Sequence, residues 1–325
     1  MKRFIIGLCL MAVVFTFAFL AVPMIQAQPY PSRTIQLVIP MPPGGFMDII
    51  GRDLAEELKK ILGTQIIVLN KPGASMTLGT DAVVRSKKDG YTIAYTNTSA
   101  LVYSRVTNPE TVPYDPVKDL EPLGFHLFFP QIIAVLNSSP WKNYSELIDY
   151  AKKNPGKLRV CTVGQGSLDH FNLEITQTLT GAQFTHVPVK GAATIITSLL
   201  GGHIEVTYTS FLVVIPDVES GKLRILLLSK KVPDLPNVPT LSELGYKQDL
   251  LSAWFAFFAP AGVPEEVKRV LVPAIEKAIK NPELKAKIEK LGCIVDYKSP
   301  AELKKLMIED YERAVDIAVR IGLRK

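Results

Sequence analysis

Cysteine is scarce in this chain of 325 residues: there are three, with no C-x-x-C pair and no Cys/His cluster at zinc spacing. A disulfide scaffold and a zinc-organised fold are thereby excluded. Charge of one sign is equally thin, since 37 Lys and Arg face 31 Asp and Glu, a formal net charge of +6, and no block of five basic residues occurs. A nucleic-acid footprint needs basic residues concentrated on one face, so no nucleic-acid partner is expected. The four histidines, His126, His170, His186 and His203, show no i, i+4 pairing, and no metal site is expected. His186, inside an apolar strand, reads as a hydrogen-bonded core residue. There is no G-x-S-x-G elbow, and Gly164-x-Gly166 lacks the third glycine of a dinucleotide fingerprint because Asp169 stands in its place. Ser167, Asp169 and His170 crowd within four residues, whereas a nucleophile, its base and its orienting group must converge in space. No catalysis and no cofactor are expected.

Long apolar runs are absent after the first: Phe4 to Val22 is almost unbroken, preceded by Met1-Lys2-Arg3 and followed by Ile25-Gln26-Ala27. That is the pattern of a secretory signal peptide over residues 1–27, with an uncleaved anchor as the alternative. Its removal takes Cys9 and lowers the net charge to +4. Of the two cysteines left, Cys161 sits in the apolar run Leu158 to Val163, which favours a buried free thiol over a Cys161–Cys293 bond. What remains is a globular composition, 47% apolar, 21% charged and 8% aromatic, which excludes a disordered, collagen-like or coiled-coil chain. At roughly 100 to 200 residues per domain, two lobes are expected.

From Tyr30 onward, short β-branched runs alternate with helical periods, the signature of an α/β protein with mainly parallel sheets. Thr34 to Pro40 reads as a buried strand, Pro42-Pro43-Gly44-Gly45 as its turn, and Ile49, Ile50, Leu54, Leu58, Ile61 and Leu62 as one helix face stopped by Gly63. The unit recurs in the middle of the chain. Leu158 to Thr162 runs into Gly164-Gln165-Gly166-Ser167, after which Leu168, Phe171, Ile175 and Leu179 fall at helical spacing with Ser167 as N-cap. Near the end, Ser299 and Glu302 form a capping box around Pro300. No repeat of 20 to 50 residues is present. Pro130 to Leu136 and Ala253 to Ala259 read as crossovers, so that 28–128 with 252–325 would form a discontinuous first lobe and 129–251 the second. Trp254 and the phenylalanines after it read as core or hinge packing.

Several predicted strands end in Gly- or Ser-containing turns that open helices: Gly44-Gly45 with Asp48, Gly73 to Ser75, Gly164 to Ser167, and Lys190-Gly191. Ligands of open α/β sheets sit beyond the carboxyl ends of the strands, where helix N-termini offer unpaired N–H groups to an anion. Any one such turn is also an ordinary strand-to-helix connection; their recurrence in both halves is what points to a site. Hydrogen bonds to a charged group contribute roughly 1.5 to 3 kcal/mol each, so four or five supply about 6 to 15 kcal/mol before ordering costs. Micromolar binding needs about 8 kcal/mol, so an arginine clamp is not obligatory. Asp48 suits a helix cap better than an anion contact. Thr98, Ser99, Lys190, Thr209 and Ser210 are candidates for the distal end of a ligand, or equally caps and turn residues.

Over residues 29 to 318 the chain resembles the substrate-binding receptors of tripartite tricarboxylate transporters, the Bug family. The resemblance rests on Tyr30-Pro31-Ser32-Arg33, Pro43-Gly44-Gly45-x-x-Asp48, Asn70-Lys71-Pro72-Gly73-Ala74, Asp89-Gly90-Tyr91-Thr92, and Gly164-Gln165-Gly166-Ser167-x-x-His170. His186-Val187-Pro188-x-Lys190-Gly191, Leu200-Gly201-Gly202 and Ala259-Pro260-Ala261-Gly262 follow in the same order. It implies a two-lobed periplasmic binding protein fold, type II-like, that closes over a ligand in the manner of a Venus flytrap. The implied function is a monomeric periplasmic receptor that captures a di- or tricarboxylate, or a related organic acid, and delivers it to membrane permease subunits. A periplasmic carboxylate sensor signalling to a membrane kinase is the alternative. The implied ligand-binding set is Pro43, Gly44, Gly45, Phe46, Met47 and Asp48 in the first lobe with Ser75, Thr98 and Ser99. From the second lobe come Gly164, Gln165, Gly166, Ser167, His170, Lys190, Gly191, Thr209 and Ser210. Two positions depart from the family pattern. Ser75-Met76 replaces a frequent Gly-Gly, and Thr209 stands where an Asp is common, which removes a partner for a ligand ammonium and favours an acid without an amino group.

Overall fold

A computed structural model of the chain describes residues 29–189 and 192–324. The signal-peptide expectation for 1–27, and the candidates Lys190 and Gly191, lie outside the described residues. Among the described residues, eleven strands form two sheets. The first contains β1 (Ile35–Ile39), β2 (Ile66–Asn70), β3 (Thr92–Asn97), β4 (Leu120–Phe129), β10 (Ala253–Pro260) and β11 (Ile294–Lys298), in the order β11-β4-β10-β3-β1-β2. The second contains β5 (Gln131–Leu136), β6 (Arg159–Thr162), β7 (Thr185–Pro188), β8 (Val206–Ser210) and β9 (Leu223–Leu228), in the order β7-β6-β8-β5-β9. Helices of eight residues or more are α1 (Phe46–Leu62), α2 (Thr77–Val84), α3 (Tyr144–Lys153), α4 (Leu168–Thr180) and α5 (Ala192–Leu200), then α6 (Phe211–Glu219), α7 (Glu265–Ile279), α8 (Pro282–Glu289) and α9 (Pro300–Arg320).

The expectation of mainly parallel sheets holds for one half of each. β1 pairs parallel with β2 and β3, and β6 pairs parallel with β7 and β8. The other half is antiparallel, because β4 turns directly into β5 at Pro130 and β10 returns from the second sheet, so these strands enter against their neighbours. The parallel halves are the ones that need helical crossovers, and those crossovers begin in the turns singled out above.

Strand alternation sends Ile35, Leu37 and Ile39 to one face of the first sheet, against Met47, Ile50 and Leu54 of α1 and Leu271 and Ile275 of α7. Val38 points to the other face, into a cluster that runs through Trp254, Phe258 and Met307 to Phe171, Val160 and Tyr208 beside the second sheet. That cluster crosses from one sheet to the other, and each aliphatic or aromatic side chain it fully buries is worth about 1.5 to 3 kcal/mol. Ile49 departs from the expected helix face: it is 47% exposed, opposite Met47 and Ile50 on α1. Gly63 ends α1 in the left-handed region at φ 65°, and Ser299 and Glu302 make the reciprocal capping box of α9. Cys161 and Cys293 are both buried free thiols. No helix of the described residues is long and apolar enough to cross a membrane.

Candidate functional site

Sheet order places the turns after β3, β1 and β2 side by side in the first lobe and those after β7, β6 and β8 side by side in the second. Each group gathers backbone around a helix start. The first is organised by Asp48, which is only 2% exposed and accepts from the Gly44 N–H at 2.8 Å, from Arg52 Nε at 2.9 Å and from Asn70 Nδ2 at 2.8 Å. Asn70 also donates to the Met41 carbonyl and accepts from Arg52. Burial works against ionisation of Asp48, yet its bonds to Arg52, Gly44 and Asn70 together hold the carboxyl below its ordinary pKa. The residue is therefore the brace of its turn, joining the ends of β1 and β2, and it keeps little capacity for a ligand.

This bracing changes the expected donor set. The Gly44 N–H is engaged by Asp48, whereas the Gly45, Phe46 and Met47 amides have no partner among the described residues, since the first bond of the helix runs from Ile49 N–H to Gly45 O. The Met47 side chain is in the core and only its main chain can serve a ligand. Phe46 is half-buried with its ring 5.2 Å from that of Phe129, at the point where the chain leaves the first sheet.

The next turn, after β2, holds Ala74, Ser75 and Met76 at φ 45°, 51° and 74°, three consecutive non-glycine residues in left-handed backbone. That conformation costs roughly 1 to 2 kcal/mol per residue outside glycine. Here the close approach is kept by glycines on either side: a Cβ on Gly79 would lie 2.5 Å from the Lys71 carbonyl oxygen. Ser75 is exposed. After β3, Thr98 is fully buried and its Oγ1 accepts from the Trp254 N–H at 3.4 Å, which ties it to β10; Ser99 N–H is capped by Asn97 Oδ1.

In the second lobe, Ser167 Oγ accepts from the His170 N–H and donates to the Gly164 carbonyl at 2.7 Å, the N-cap expected from its position. The Gly164 N–H goes to Thr162 Oγ1 and the Gly166 N–H to His170 Nδ1, so both glycine amides are engaged within the turn. The Gln165, Leu168 and Asp169 amides have no partner among the described residues. His170 stacks on His186, ring centroids 4.4 Å apart and 12° from parallel, and His186 Nε2 meets Thr162 Oγ1 at 2.7 Å. Burial and the neighbouring His186 push His170 down to about 4, so at neutral pH it is an uncharged acceptor holding the turn. A Cβ on Gly166 would come within 2.8 Å of Thr107 Cγ2, which shows how closely the second-lobe turn abuts the helix that follows β3.

Two groups escaped the sequence reading in this role. Asp169 is buried and raised to about 7 by that burial, against which the Val163 N–H works. With the Gln131 amide turned so that its nitrogen faces them, it donates to Asp169 Oδ1 at 3.0 Å and to the Thr209 carbonyl at 3.3 Å. Thr209 is itself buried, and the Ser210 hydroxyl beyond it is shielded from solvent and has no hydrogen-bond partner among the described residues. Polar residues interrupting the apolar face of α4 were the only available signal. Cavities of about 210 to 400 Å³ lie elsewhere on the surface, and none is lined by these turns.

The arrangement presents free amides from two helix starts, one per lobe, without a described cation between them. Among the described residues no group of three His, Cys, Asp or Glu could hold a metal ion. The chain is similar to known proteins over most of its length. The family model of the tripartite tricarboxylate transporter family receptor matches residues 50–323. Protein BugT of Bordetella pertussis is 30% identical over 302 residues, 92% of this chain and 93% of its own. The crystal structure of a TctC solute binding protein from Polaromonas, without ligand, is 29% identical and superposes with a TM-score of 0.81 over 90% of this chain and 99% of its own. An R. palustris protein with adipate is 27% identical, with a TM-score of 0.73, and covers 90% and 98%.

Proposed function

The chain belongs to the tripartite tricarboxylate transporter receptor family, and from that premise we propose that it captures a small organic carboxylate between its lobes and delivers it to a membrane permease. It does so in the periplasm, exported by the segment 1–27, as a monomer and without catalysis. Residues 28–128 with 252–325 form the first lobe and 129–251 the second, and the lobes close about the crossovers at Pro130 and Ala253. The observation that carries this reading is the pair of open helix starts: Gly45, Phe46 and Met47 at the start of α1, and Gln165 and Leu168 at the start of α4, offer amides that no other described residue engages. Ser210 supplies a hydroxyl, and Ser75 and Ser99 line the approach, with Lys190 and Gly191 as further ligand residues on the sequence pattern alone. Pro43, Gly44, Gly164, Gly166, Ser167 and His170 shape the two turns, and Asp48, Thr98 and Thr209 support them from beneath. A relative binds adipate, which is an acid of this class.

A thermal-shift screen over mono-, di- and tricarboxylates tests the reading, because a ligand at 100 times its dissociation constant adds about 2.7 kcal/mol of stability. An acid that raises the transition by several degrees supports it. If no organic acid moves the transition while a neutral sugar or a metal ion does, the reading is wrong.

A further inference from the structure

Helix α4 does more than present its N-terminus. Asn172 is fully buried on it and grips the main chain of Leu251 from both sides: the Leu251 N–H donates to Asn172 Oδ1 at 2.7 Å and Asn172 Nδ2 donates to the Leu251 carbonyl at 3.0 Å. Leu251 lies two residues before β10, on the chain's return to the first sheet. One turn earlier on the same helix, Asp169 faces the amide of Gln131, the first residue of the outgoing crossover. Gln131 is in turn bonded by its N–H to Ser229 Oγ and by its carbonyl to the Ser229 N–H, and Ser229 Oγ touches Ser252 Oγ at 2.6 Å. The two crossovers are thus tied to each other and, separately, to α4. All of these side chains are buried.

We propose that Asp169 and Asn172 are positioning residues that make α4, its ligand turn and both crossovers move as one piece, so that contact with the acid at Gln165 and Leu168 is passed directly to the hinge. Neither touches the ligand. The inference rests on the receptor reading and adds a location to it. With Gln131 and Leu251 held to α4, closure bends the chain on the first-lobe side of these residues, at Phe129-Pro130 and Ser252-Ala253, where no α4 side chain holds the backbone. Asparagine suits position 172 because only a side chain with both a donor and an acceptor can satisfy one peptide unit's N–H and C=O together.

The test uses the full mature chain, Asn172→Leu and, in case that variant does not fold, Gln131→Met, which keeps length but loses the amide. Acid affinity is read by calorimetry, and closure by small-angle scattering with and without saturating adipate, or the best acid from the screen. The expected result is a compaction at saturation that is reduced or gone, and acid binding weakened about tenfold because the bound acid no longer draws the hinge into closure. A residue that merely stabilised the fold would lower the melting temperature and leave saturated compaction at its wild-type value, and that outcome overturns the proposal. Crystal structures with and without acid give a second readout that needs no variant: the Asn172–Leu251 and Asp169–Gln131 contacts persist in both states, and loss of either in one state refutes it. If wild-type protein neither binds nor compacts with any acid, the receptor reading falls; if it compacts and Asn172→Leu compacts equally, only the linkage does.

Discussion

Asp169 and His170 are adjacent, both buried, and displaced in opposite directions, which makes their pH behaviour a sharp check on the site's internal geometry. Asp169 is raised to about 7 from 3.8, so between those values the folded state holds a proton that the unfolded chain releases. Stability from this group is therefore greatest below pH 4 and is lost as pH rises toward 7, by on the order of 4 kcal/mol at 1.36 kcal/mol per unit. His170 is lowered to about 4 from 6.5, so the unfolded chain binds the extra proton, and stability is lost as pH falls through the same range, on the order of 3 kcal/mol. The stacked His186, also lowered by burial, reinforces the histidine slope, while Glu174, raised by burial and 3.6 Å from His170 Nε2, reinforces the aspartate slope. In the wild-type protein the two largely offset each other from pH 4 to 6.5. Asp169→Asn keeps an acceptor for Gln131 and the Val163 N–H but removes the titration, and its stability relative to wild type should climb as pH rises from 4 to 7. His170→Gln should do the reverse and lose stability relative to wild type as pH rises from 4 to 6.5. Urea unfolding at half-unit pH intervals, with wild type subtracted at each point, reads both. If the Asp169→Asn difference is flat across pH 4 to 7, the carboxyl is not buried beside Gln131 as described and the reasoning fails.

Asp48→Ala strands the Gly44 N–H, Asn70 Nδ2 and Arg52 at the first turn; a loss of about 2 to 4 kcal/mol is expected, together with weaker acid binding, and a variant within 0.5 kcal/mol of wild type in urea would show that the brace is absent. Gly166→Ala combines positive φ with a Cβ 2.8 Å from Thr107 Cγ2, so it should lower stability by about 1 to 2 kcal/mol, and Thr107→Gly should restore only the steric part; full recovery would place the cost in the contact and none in the backbone.

Periodicity and turn chemistry made much of this legible in advance. Gly63 stopping α1, Ser167 capping α4 and the Ser299–Glu302 box are local, because each depends on residues within three or four positions, and each is where composition placed it. Thr34 to Pro40, Leu158 to Thr162 and the two crossovers likewise match β1, β6, β5 and β10 to within a residue or two, whereas no strand is read for β4, β9 or β11. What the pattern could not show is which polar groups find one another across the chain. Asp48 meets Asn70 over 22 positions, Asn172 meets Leu251 over 79, and Gln131 on β5 meets Asp169 on α4. An amphipathic period reports that a face is buried and is silent on the partner of a polar residue that interrupts it. Ile49 shows the converse, an apolar residue at helical spacing that the helix turns outward. The antiparallel halves of the sheets were hidden for a related reason: strand direction is decided by where the chain re-enters, and short apolar runs carry no direction.

The bonds inside the turns also decide what the site can recognise. The glycines most exposed to the eye in the sequence, Gly44, Gly164 and Gly166, are tied by Asp48, Thr162 and His170, and that tying leaves the Gly45, Phe46, Met47, Gln165 and Leu168 amides fixed in direction and without a partner among the described residues. Donors held this way need no reorganisation when an anion arrives, which is what allows main-chain groups to do the work of a cationic side chain. Because every backbone has the same amides, such a site selects for the position and number of carboxylate oxygens and leaves the body of the ligand to the surrounding side chains. On the proposed reading, Ser75 and Met76, where the chain departs from the family pattern, are the side chains that would meet that body. Selectivity among acids should therefore track these residues, while affinity for the carboxylate itself tracks the braces beneath the two turns.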